Sequence, residues 1–112
     1  MRTLVWNCRD ARNPLAIPLL KEAVKLHSAS LVFLLETKSQ KNFMNKVKQL
    51  IRFDNLFVVD PTGTTRGLAI FWSEDITIKK TLFTSFSIEL LIDDPESKME
   101  WWCMYVCASS NN

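Results

Sequence analysis

A chain of 112 residues fits one domain or part of one, and a composition of 47% hydrophobic and 23% charged residues places it with chains that fold rather than stay disordered. A formal charge of +2 is too small for charge alone to mark a nucleic-acid binder, and the longest apolar run, Leu31 to Leu35, excludes a membrane-spanning helix, which needs about 18 apolar residues. Three cysteines, Cys8, Cys103 and Cys107, contain no Cys-x-x-Cys pair and argue against a disulfide framework or a zinc site, and Arg2, Asn7, Arg9, Asp10 and Arg12 break up any secretory leader, so an intracellular location, nucleus or cytoplasm, is expected.

In chain order, Thr3-Leu4-Val5-Trp6 is a β-prone run ending at Asn7. Asn13-Pro14 then reads as a helix start, with Asn as cap and Pro at the first helical position. Ala16, Leu19, Leu20, Ala23, Val24 and His27 recur at helical spacing and give one apolar face. Pro18 interrupts it, so the helix either begins near Pro18 or is distorted there. Leu31 to Leu35 is apolar without alternation, the pattern of a central strand covered on both faces, and Glu36 ends it. Phe43, Val47, Leu50 and Ile51 give residues 40–52 a second amphipathic helix. The basic residues Lys38, Lys41, Lys46, Lys48 and Arg52 gather around that helix, as a solvated face or as a phosphate contact.

From Leu56 the texture changes to short β-rich runs: Leu56 to Val59, Leu68 to Trp72, Ile76 to Leu82, Phe86 to Ile92 and Met99 to Val106. Pro61-Thr62-Gly63-Thr64 and Asp93-Asp94-Pro95-Glu96 are turn clusters between them, as consecutive hairpins require. The class is α+β in a single unit spanning 1–112: a mixed sheet with two helices on one face, and an antiparallel ladder as a second layer. Cys103 and Cys107 are four apart and would share a strand face as small buried hydrophobes. Of Trp6, Trp72, Trp101 and Trp102, three belong to strands with apolar neighbours, which favours core packing for the tryptophans over base stacking.

The informative feature is a pair of polar residues at the ends of the two most buried strands, Asn7 and Glu36. Strand ends are where ligands collect in such sheets, and a carboxylate with an amide oxygen could face a hard cation such as Mg2+. The plainer alternative is that any strand must leave the core through a polar residue.

Val5-Trp6-Asn7-Cys8-Arg9 resembles the opening "WNCRG" of plant LINE-type retrotransposon endonuclease domains, Leu35-Glu36-Thr37-Lys38 their "ETK" motif, and Arg66-Gly67-Leu68-Ala69-Ile70-Phe71-Trp72 their "GGLALFW" strand. Ser87-Ile88-Glu89 and Val106-Cys107-Ala108-Ser109-Ser110-Asn111 are similar to two later segments of that family, the second to "VYASPN". The resemblance implies the endonuclease/exonuclease/phosphatase class, a DNase I-like four-layer αββα sandwich of which this chain would be the N-terminal portion. It implies Mg2+ as cofactor, DNA as partner, and catalytic and metal-binding roles for Glu36 and Asn7. The family's Asp-x-Asn and Ser-Asp-His would follow Asn112, so this chain alone is expected to be inactive. A further expectation is that one inner sheet face stays wet and that the Met99 to Val106 strand self-associates through its open edge.

Departures from the family pattern point the same way: Asp10 and Arg66 stand where it has Gly, Cys107 where it has Tyr, and Ser110 where it has Pro. His27, the only histidine, is placed on the first helix, away from the strand ends, where it suits packing or the helix C-terminus better than general-base work. A non-catalytic interaction module using exposed sheet edges is the alternative function.

Overall fold

The computed structural model describes residues 2–63 and 65–106. Their elements are β1 (Thr3–Asn7), α1 (Ala16–His27), β2 (Leu31–Leu35), α2 (Lys41–Ile51), β3 (Asn55–Val59), β4 (Leu68–Trp72), β5 (Thr77–Phe83), β6 (Ser87–Asp94) and β7 (Met99–Val106). The first sheet has the order β1-β2-β4-β3, with β1 and β2 parallel and the other pairs antiparallel. The second is an antiparallel meander, β5-β6-β7. The α+β class read from the sequence is what the structure has.

The absence of alternation in β2 and β4 follows from what lies on each side. On one face Val32, Leu34, Ala69 and Phe71 pack against Leu20 of α1 and Met44, Val47 and Ile51 of α2. On the other, Leu31, Phe33, Leu68 and Ile70 meet Ile88, Leu90 and Ile92 of β6. In β6 alternate residues are buried, as a strand with one covered face must be. Phe33 and Tyr105 stack across the two sheets at 3.6 Å between ring centroids. The layers therefore run helices, sheet, sheet, and the inner face expected to stay wet is covered. Nine buried side chains form this inner core, each contributing about 1.5–3 kcal/mol when fully buried. What the second sheet leaves in water is its outer face, where Leu82, Trp102, Met104 and Val106 are exposed.

Pro18 is the third residue of α1, within the first turn, where its missing N–H has no intrahelical partner to lose. The helix accordingly begins near it, at Ala16. Asn13 lies two residues too early to be the N-cap: its Oδ1 accepts the Leu15 N–H at 3.0 Å and its carbonyl the Ala16 N–H at 2.9 Å, and Leu15 precedes the helix. Both helices end on left-handed residues with side chains, Ser28 at φ 50° and Arg52 at φ 61°, positions that glycine usually fills. The start of α2 is held from a distance, since Asp60 Oδ1 after β3 accepts the Lys41 N–H at 2.9 Å. No helix among the described residues is long and apolar enough to cross a membrane.

Candidate functional site

Parallel pairing of β1 and β2 sets Asn7 opposite Leu35, so both strands end at one rim. Beyond the strands the backbone stays laced. Cys8 N–H donates to the Leu35 carbonyl at 3.1 Å and Ala11 N–H to that of Thr37 at 3.0 Å. Thr37 and Lys38 N–H groups donate to the Gly67 and Arg66 carbonyls at 3.3 and 2.7 Å. Three segments, 7–11, 36–38 and 66–67, thus form the rim. Arg9, Glu36 and Lys38 take left-handed backbone there, at φ 60°, 54° and 49°.

The side chains converge on Glu36. Asn7 Nδ2 donates to Glu36 Oε2, and Arg66 Nη1 lies 2.6 Å from Glu36 Oε1 in an ion pair. Asn7 Oδ1 accepts the Arg9 N–H at 3.0 Å, which fixes which way the amide points: its oxygen faces a backbone donor and its nitrogen faces the carboxylate. The hydrogen bond from Asn7, then that from Arg66, holds the Glu36 carboxyl below its ordinary pKa; burial works against them, and the charges of Arg66 and Lys38 add to the lowering. Glu36 is therefore ionised at neutral pH.

Gly67 makes the close approach possible. It has φ +85°, and a Cβ there would lie 2.5 Å from Thr37 Oγ1 and 3.2 Å from Pro61 Cδ. Beneath the rim Cys8 is buried, its thiol donating to the Leu35 carbonyl at 3.3 Å, and burial pushes its pKa up to about 11. Thr37 and Ser39 are also buried, with hydroxyls that find no partner among the described residues.

This arrangement sets N–H donors against the carboxylate that the family resemblance assigns to Mg2+. Mg2+ asks for octahedral oxygen ligation. The rim segments carry two carboxylates: Glu36, whose oxygens each accept one N–H hydrogen bond, and Asp10, whose Oδ1 accepts the Arg12 N–H at 2.9 Å; the Asn7 amide oxygen is turned to the Arg9 N–H.

Asn7 and Glu36 are thus together, as the strand ends led one to expect. His27 is not with them: it is the last residue of α1, before β2, whereas Glu36 follows the far end of that strand, about 16 Å away at the rise of a strand. It is exposed, so the helix-terminal role remains and the packing role does not. Ser87, Ile88 and Glu89 lie on β6, with Ile88 in the inner core. Cys103 packs against that core, while Cys107 and the segment 108–112 lie outside the described residues. Trp6, Trp72 and Trp101 pack as expected, and Trp102 is exposed. Arg66 was missed as a site residue. The antiparallel register that pairs Leu35 with Leu68 continues to Glu36 and Gly67, and places Arg66 one step further on. The chain matches no protein-family model and no curated protein.

Proposed function

We propose that this chain is an N-terminal part of a phosphodiester-handling sandwich of the endonuclease/exonuclease/phosphatase class, as carried by LINE-type retrotransposons, and that its rim contacts the DNA backbone without hydrolysing it unaided. The observation that carries this reading is the convergence of Asn7, Glu36 and Arg66 at the ends of β1, β2 and the approach to β4. The helix, sheet, sheet layering supports it, since an αββα sandwich contains that succession.

Hydrolysis needs a base that works near neutral pH and donors aimed at the developing phosphate charge. Glu36 is a poor base, because a carboxyl held below its ordinary pKa has little affinity for a proton. A positioned base contributes about 100-fold to 10,000-fold, and none of the described rim residues replaces it. Arg66, half-exposed, keeps further N–H donors for a phosphate oxygen. Two assays test the reading: nicking of supercoiled plasmid in Mg2+, and anisotropy of a labelled duplex at low salt. No nicking above background and saturable, salt-sensitive binding weakened by Arg66→Ala are expected. Robust nicking lost in Glu36→Ala would overturn the non-catalytic assignment; absence of duplex binding at low salt would overturn the DNA contact.

A second reading, self-association, rests on the exposed Leu82, Trp102, Met104 and Val106 and on the edge of β7, which among the described residues pairs only with β6. Sedimentation across a concentration series would show it. A monodisperse monomer throughout would dismiss it.

A further inference from the structure

We infer that Arg66 is the resident cation of this rim: its guanidinium occupies the side of the Glu36 carboxylate that a divalent ion would need, and closes it to metal. The inference rests on the reading above, that Asn7 and Glu36 stand where a phosphodiesterase of this class ligates its ion.

The geometry carries it in three ways. Arg66 Nη1 is 2.6 Å from Glu36 Oε1 and the Asn7 amide N–H is on Oε2, so an ion approaching either carboxylate oxygen meets a bound N–H donor, and at Oε1 a cation. Admitting an ion would require Arg66 to leave and the Asn7 amide to turn over, which gives up the bond between Asn7 Oδ1 and the Arg9 N–H. Arg66 is also tethered, since its carbonyl accepts the Lys38 N–H at 2.7 Å and the neighbouring Gly67 carbonyl accepts that of Thr37. A guanidinium fixed beside its partner acts at a high effective concentration, against which a free divalent ion at millimolar levels competes poorly. Its charge does not titrate, so the competing cation is present at every pH at which Glu36 is ionised. Glycine at 67 keeps the backbone close enough for the contact, because a side chain there would strike Thr37.

The test uses Mn2+ as probe and follows paramagnetic broadening of backbone amide signals at residues 7–9 and 36–38 in the native protein, in Arg66→Gln, in Arg66→Ala and in each of these combined with Glu36→Gln. Arg66→Gln keeps length and hydrogen bonding while removing the charge, so it remains informative if the alanine variant is poorly folded. The native protein should show no saturable broadening centred on the rim. Both Arg66 variants should gain it, with at least about tenfold tighter binding than any native response, and Glu36→Gln should abolish the gain. Native binding as tight as that of the variants would overturn the inference while leaving Glu36 and Asn7 as metal ligands. Binding by none of them would overturn both. A double-mutant cycle of Arg66→Gln and Glu36→Gln in urea gives a readout independent of metal: coupled stabilities are expected, and strict additivity would show that the contact is not formed.

Discussion

Gly67→Ala should be among the most damaging single-methyl additions this chain can receive. At φ +85° a residue with a Cβ costs about 1–2 kcal/mol in backbone strain. The added carbon would lie 2.5 Å from Thr37 Oγ1, and Thr37 is fully buried, so it has no open rotamer to move into. Forcing an atom into such a site costs about 1–3 kcal/mol more. Against this stands about 0.4–1 kcal/mol from the stiffer unfolded chain. The net is roughly 2–4 kcal/mol, or roughly 10–30 °C in melting temperature for a domain of this size. Gly63→Ala is the internal control, since Gly63 also has positive φ but nothing lies within 4 Å of the place its Cβ would take; its melt should fall by less than about 8 °C. Thermal unfolding by circular dichroism compares the two. If Gly67→Ala melts within about 3 °C of Gly63→Ala, the packing of Gly67 against Thr37 is not what holds the rim segments together.

Three further outcomes follow from the same geometry. With its pKa near 11, the Cys8 thiol is ionised to about one part in a thousand at pH 8, so a disulfide reagent should modify it far more slowly in the folded than in the unfolded protein; equal rates would mean that Cys8 is not buried. Because the Glu36 pKa is lowered on folding, its stabilising contribution is complete above the ordinary carboxylate pKa and is lost as pH falls through the lower folded value. The gap between native protein and Glu36→Gln in urea, under about 1 kcal/mol for a partly exposed pair, should then be flat at neutral pH and close in acid; a gap that widens in acid contradicts the assignment. Asp60→Ala should cost about 1 kcal/mol by uncapping α2, with Asp60→Asn recovering most of it in the same titration.

The strands were legible because burial leaves a plain trace in side-chain order. An unbroken apolar run such as Leu31 to Leu35 needs two covered faces, and each covering was in the chain: the helix faces with Leu20 and Val47, and the alternating Ile88, Leu90 and Ile92. The expectation of a wet inner face failed to carry that second clue through. Alternation in β6 demands a partner surface, and β2 and β4 had one to offer. Helix starts were less legible, because Asn13 fits a cap by residue type while the hydrogen bonds it makes close the turn before the helix. At the rim, Asn7 and Glu36 could be placed together from strand order alone. Arg66 could not be recognised by residue type, since its meaning lies in a register between distant strands, and only pairing Leu35 with Leu68 brings it to the carboxylate.

The backbone angles of Arg9, Glu36 and Lys38 bear on how this rim is kept. Each sits where an unbranched glycine would rest more easily, by about 1 kcal/mol. Selection for thermal robustness alone would favour glycine or asparagine at these sites. On the proposed DNA contact, the Lys38 ammonium would offset that backbone strain with a phosphate contact. Lys38→Gly should therefore melt higher than the native protein and hold duplex DNA less well, and a variant that gained stability with no loss of binding would show that Lys38 is not kept for the ligand.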